Sequence, residues 1–263
     1  MTRKGTATPS DILCDVLGPF RASFYLLLSR AFSREPNQKM LNGVEHVSAG
    51  LMDAWKLMGL PSDPDVDASK ALFETFFSDL RQGDLEEAIE QLARDYASLF
   101  LGVGPKTVSL CESVYRSASG LLYQSSLFEV QQSYSETGMT KSDRYHEPDD
   151  HIAVELSYMA RLCEVTQEAV KADREQALLY LRLQRLFLED HLARWIPLFS
   201  ERLIAASPPG FYRAMAHLLK GYIGIDSGLV DSMTQELNLN DKPKTRSGRK
   251  KVSSKRPTTH YKK

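Results

Sequence analysis

Asp84-Leu-Glu-Glu-Ala-Ile-Glu-Gln-Leu-Ala-Arg-Asp-Tyr-Ala-Ser-Leu-Phe100 decides the fold class. Leu85, Ile89, Leu92, Tyr96 and Leu99 recur at intervals of four and three, the period of a helix with one buried face. Asp84 follows the helix-stopping Gly83 and has Glu87 three residues on, a capping-box start. Upstream, Phe73, Phe76, Phe77 and Leu80 repeat the pattern within a helix expected over 66–82. Thr8-Pro9-Ser10-Asp11 reads as a cap with proline at the first helical position, opening a helix to about Phe32. A second helix is expected over about 38–59, ending before Pro61.

The period persists toward the C-terminus. An irregular link, 102–118, precedes a helix over about 119–133 and a polar loop from Ser135 to Asp150. Ile152, Leu156, Met159 and Cys163 then mark a helix, another covers about 173–190, and Ser207-Pro208-Pro209-Gly210 separates off a last one. No alternating, hairpin-bounded strand pattern occurs. The expectation is an all-α fold of nine to eleven helices in a single domain. It divides into a flexible N-terminus (1–7), a helical domain (8–238, two groups joined by the 135–150 loop) and a basic disordered tail (239–263).

Composition narrows the function. Of 263 residues, 42% are hydrophobic and 25% charged, enough for a core without disulfides or metal. Cys14, Cys111 and Cys163 form no CxxC pair and read as buried thiols. Nothing at the N-terminus resembles a secretory leader and no apolar run is long enough to span a membrane, so the expected compartment is the cytoplasm. The net charge of −1 conceals an asymmetry: residues 241–263 carry ten Lys/Arg and one acid, whereas residues 1–240 carry 23 basic and 33 acidic side chains. An acidic body favours cationic partners over nucleic acid. The tail lacks the apolar residues needed to fold alone.

Catalytic signatures fail on inspection. Gly102-Val103-Gly104-Pro105-Lys106-Thr107 has proline where a phosphate loop needs glycine before its lysine. HExxH and GxSxG are absent. In the His146–His151 cluster only His151 and Glu155 share a helical i, i+4 spacing, too few ligands for a metal. No catalytic residue and no metal site is assigned.

Glu147-Pro148-Asp149-Asp150-His151 stands out. Pro148 suits the first turn of a helix, so the helix bearing Ile152–Cys163 is expected to start here, with three carboxylates at its positive end. Capping explains one acid, not three, and an imidazolium there opposes the helix dipole. Tyr96, Leu99 and Phe100 are core on periodicity alone; beside the acidic segment they would form the apolar wall of a groove.

Tyr96-x-x-Leu99-Phe100, Ser113-Val114-Tyr115 and Glu147-Pro148-Asp149-Asp150-His151, in this order, resemble the TorD/DmsD family of chaperones that mature molybdopterin redox enzymes. The similarity continues through His191-Leu192-x-x-Trp195-Ile196-Pro197 and Phe211-Tyr212, over roughly residues 15–225. Leu110-Cys111-Glu112 stand where the family often carries proline and an aromatic residue. The resemblance implies an all-helical cytoplasmic protein, not an enzyme. It would bind the twin-arginine signal peptide of a molybdoenzyme catalytic subunit until cofactor insertion is complete. The implied binding residues are Tyr96, Leu99, Phe100, Ser113, Tyr115, Glu147, Pro148, Asp149, Asp150 and His151. The resemblance implies no bound cofactor beyond the weak guanine-nucleotide binding of some members, and either a monomer or a homodimer swapped at the 135–150 loop. Independently, paired guanidiniums suit clustered carboxylates, and an apolar stretch suits an aromatic-lined groove. The competing reading is a polyanion- or nucleic-acid-binding protein acting through its basic tail.

Overall fold

A computed structural model describes residues 9–57, 62–103, 107–141 and 145–239, with side chains described in those ranges apart from 9–16 and 49–57. The cap at Thr8, the side chain of Cys14, the 1–7 segment and the basic tail beyond Leu239 lie outside what is described. Ten α-helices carry the described chain: α1 Pro9–Ser33, α2 Gln38–Leu57, α3 Pro64–Gln82, α4 Leu85–Phe100, α5 Ser113–Arg116, α6 Ser125–Glu136, α7 Ile152–Ala172, α8 Arg174–Phe187, α9 Ala193–Ala206 and α10 Phe211–Leu239. A π-helical turn, Leu188–Leu192, joins α8 to α9. Among the described residues no strand forms; the one β-type pairing is an isolated antiparallel bridge between Cys111 and His151. The protein is all-α.

Local chemistry sets the helix starts. Asp63 caps α3, its carboxylate accepting from the amides of Asp65 and Val66 with Pro64 at the first position. Asp84 caps α4 the same way, through Glu86 and Glu87.

Two antiparallel pairings build the core. Helix α1 lies along α7, with Ser29 donating to the carbonyl of Ala153 at one end and Gly18 against Gln167 at the other. Helix α10 lies along α3: Gly221 faces Val66, and Phe211 meets Phe73 and Phe76. Between these pairs, buried Arg21 forms two bonds to Asp226 at 2.6 and 2.7 Å, and Tyr25 donates to the same carboxylate at 2.6 Å. Phe24 and Tyr25 pack on Tyr222 beside this pair. Such a pair fixes helix register more than it adds stability, because the desolvation of two charges offsets much of their attraction. One continuous apolar cluster runs from Leu17 to Leu237, through helices on both sides of the 135–150 loop.

Four boundaries differ from the sequence expectation. The link 102–118 contains the short helix α5. The helix expected over 119–133 begins at Ser125 and extends to Glu136, because Gly120 and Tyr123 adopt left-handed backbone (φ 63° and 60°) that a helix excludes. Pro148 is not in the first turn of α7; it lies in the preceding tight turn, closed by the amide of His151 donating to its carbonyl at 3.1 Å. The chain beyond Phe187 continues helically through the π-turn, carrying Pro197 inside α9.

Candidate functional site

The short bridge at His151 organises the region. The Glu112 amide donates to the Asp150 carbonyl at 2.9 Å, and the Ile152 amide to the Leu110 carbonyl at 2.8 Å. These bonds tie the segment before α5 to the segment before α7, bringing residues 109–115 and 147–151 together. Leu110 and Cys111, standing where the family pattern often has proline and an aromatic, are buried in this tie. Burial pushes the Cys111 thiol upward, which leaves it inert.

The five residues of the acidic segment divide by orientation. Glu147 is exposed, and Pro148 and Asp149 are half-buried. Asp150 is fully buried and turns away from α7: its carboxylate accepts from the Ser113 amide at 2.9 Å and from the Ser113 hydroxyl, fixing the start of α5. His151 is buried and is the N-cap of α7, its Nδ1 accepting from the Ala153 amide at 3.1 Å. An acceptor nitrogen must be unprotonated. Burial, with a smaller contribution from the positive charge of Lys141, lowers the His151 pKa to about 4. The expected conflict between an imidazolium and the helix dipole therefore does not arise, because the ring is neutral.

Asp149 faces the opposite way from Asp150. Its carboxylate pairs with Lys141 Nζ at 3.0 Å and accepts from Gln131 Nε2 at 2.6 Å, while its carbonyl accepts from the Tyr134 hydroxyl at 2.9 Å. Lys141 also donates to the carbonyl of Glu147. Beside this contact opens a cavity of about 550 Å³, walled by α1, α7 and the loop after α6. Leu26, Met139, Tyr145, Val154 and Tyr158 supply its apolar lining, and Arg30, Lys141 and Arg161 its charges. Tyr145 joins cavity to acidic segment: its hydroxyl lies 3.3 Å from His151 Nδ1, its ring is edge-on to the imidazole, and Glu147 and Tyr96 are near enough to raise its pKa further once burial has done so.

The aromatic wall expected at 96–100 stands apart from this cavity. Tyr96 and Leu99 are buried in the core, and Phe100 is half-buried. Tyr96 donates to the Phe32 carbonyl at 3.2 Å, at the C-terminal end of α1, and burial followed by Glu35 and Glu147 pushes its pKa up to about 12. Phe100 packs on Tyr96, Phe32 and Tyr212; Phe32 packs on Phe199, which meets Tyr115 and Trp195. Tyr115 also stacks under Arg202 and donates to the Ser109 carbonyl. One aromatic layer thus underlies the motifs at 96–100 and 113–115. None of its members lines the cavity.

A buried polar cluster behind α5 went unread in the sequence. The carboxylate of Glu112 accepts from Arg116 at 2.7 Å and lies 3.1 Å from His191 Nδ1, in the π-turn. Trp195 Nε1 donates to Glu155 Oε2 at 3.0 Å. The other Glu155 oxygen is buried without a partner unless the carboxyl is protonated and donates to Glu112. Burial first, then the Glu112 charge, raises the Glu155 pKa strongly, which favours that protonated form. Glu155 in the otherwise apolar first turns of α7, and Glu112 after Leu110-Cys111 in the link, are the sequence trace of this cluster. Among the described residues, no group of three or more His, Cys, Asp or Glu side chains could hold a metal, and no helix is long and apolar enough to cross a membrane.

Residues 61–201 match the family model described as "Nitrate reductase delta subunit". The chaperone protein TorD of Photobacterium profundum is 31% identical over 175 residues, covering 66% of this chain and 79% of that protein. TorD of Aliivibrio fischeri is 28% identical over 207 residues, covering 78% and 92% respectively. TorD of Vibrio cholerae serotype O1 is 29% identical over 226 residues, covering 84% and 96%.

Proposed function

Because the chain belongs to the TorD family of maturation chaperones, we propose that it acts in the cytoplasm by holding the twin-arginine signal peptide of a molybdopterin oxidoreductase catalytic subunit. The client is kept from export until its cofactor is in place. No catalytic step belongs to this role.

One observation carries the reading: Lys141, in the wall of the apolar cavity of about 550 Å³, pairs with the Asp149 carboxylate and donates to the Glu147 carbonyl, so a carboxylate stands next to the apolar wall. A leader with two guanidiniums followed by an apolar run matches that order of surfaces. The guanidiniums engage the Asp149 carboxylate and the exposed Glu147, and the apolar run enters between α1, α7 and the side chains of Met139 and Tyr145. Affinity comes mainly from the buried apolar segment at roughly 25 cal/mol per Å². Exposed ion pairs contribute about 0–1 kcal/mol each and serve register and selectivity. Asp150, Ser113 and His151 act through the shape of the loop they hold. Tyr96, Leu99, Phe100 and Tyr115 act through the aromatic layer beneath it.

Calorimetric titration of the full chain with a synthetic twin-arginine leader tests this. Saturable one-to-one binding is expected, weakened when the two arginines become alanines and again by Glu147→Gln with Asp149→Asn. Absence of leader binding, together with strong salt-steep binding of a polyanion that disappears on deleting 241–263, would replace this function with the tail-borne one.

A further inference from the structure

Lys141 already holds the Asp149 carboxylate. Its ammonium pairs with Asp149 at 3.0 Å, donates to the Glu147 carbonyl, and belongs to the wall of the cavity. Its side chain is about one-fifth exposed, like that of Asp149, so the pair is held at the mouth and remains within reach of solvent.

We infer that Lys141 is an internal competitor for the leader: in the empty protein it fills the cation subsite made by the Asp149 carboxylate and the Glu147 carbonyl, and a guest must displace it. The inference rests on the function proposed above and adds a regulation of the same site.

The chemistry of exchange gives the device its purpose. Lys141 lies six and eight residues from its two partners, a separation short enough that the contact closes at small entropic cost. An ammonium is a point charge, whereas a guanidinium presents a planar fork that can take a carboxylate through two parallel bonds. A guest lysine would exchange like for like and gain nothing at this subsite. A guest arginine gains the second bond. The occupied subsite thereby raises the threshold for all cationic guests, and those offering only weak contacts fall below it. Because one cation replaces another, binding to the wild-type subsite changes the count of ion pairs little, and its salt dependence should be shallow.

Fluorescence anisotropy with a labelled twin-arginine leader, over a series of salt concentrations on the full chain, reads all of this. Lys141→Met keeps the aliphatic stem and removes the competitor. It is expected to tighten leader binding about two- to fivefold, the range set by one partly exposed ion pair, and to steepen the salt dependence. Lys141→Arg installs a stronger competitor and is expected to weaken binding; it also decides the matter if the Met variant does not fold. Unchanged or weaker binding by Lys141→Met overturns the inference while the leader-holding function stands. A wild-type protein that binds no leader overturns both.

Discussion

Asp150 accepts the Ser113 amide at 2.9 Å while its neighbour Asp149, one residue earlier, accepts from Lys141 on the opposite side of the chain. The alternation splits the acidic segment into a buried carboxylate that fixes the start of α5 and a partly exposed one that pairs with Lys141. Asp150→Ala leaves the buried Ser113 donors unpaired and should cost about 1–3 kcal/mol in urea unfolding. Glu147→Ala, at an exposed position, should change stability by less than about 0.5 kcal/mol while weakening the leader titration. The reverse pattern would invalidate the division.

His151 predicts a pH dependence. Its folded pKa of about 4 lies below the ordinary 6.5, so between these values the unfolded chain binds a proton that the folded protein refuses. Stability is then fully present above about pH 6.5 and declines as pH falls toward 4, by up to about 3 kcal/mol. His151→Asn keeps a capping acceptor and should flatten that part of the profile of unfolding free energy against pH.

Glu155 works in the opposite direction. Its folded pKa is raised, so its contribution is complete below the ordinary carboxyl pKa and is lost as pH rises through the folded value. Glu155→Gln imitates the protonated form, accepting from Trp195 and donating to Glu112. It should preserve the fold and raise thermal stability at alkaline pH relative to wild type. A Gln variant that melts lower throughout would show that the carboxyl is ionised in the folded protein.

Gly221 sets how closely α10 approaches α3. A Cβ at this position would lie 2.6 Å from Val66 Cγ2 and 2.7 Å from Asp63 Oδ1, against the capped start of α3. Gly221→Ala should therefore destabilise by about 1–3 kcal/mol despite alanine's better helix propensity. Gly224→Ala meets nothing within 4 Å and should not destabilise, which makes it the control for denaturant midpoints.

Helix content, most boundaries and the all-α class were legible in the sequence because they follow from local periodicity and caps: the stripe from Leu85 to Leu99, Asp84 after Gly83, the glycine-proline break before Phe211. The family motifs too could be read as strings of residues. Their orientation could not. That Asp149 faces out and Asp150 in, that His151 is a neutral cap, and that Glu112 and Glu155 share a buried pocket with Trp195 all depend on the bridge between Leu110–Glu112 and Asp150–Ile152, which joins segments some forty residues apart. Local preference fixes which residues coil. Which carboxylate loses its water, and so which one shapes the protein and which one is left at the surface, is decided only when distant segments pack.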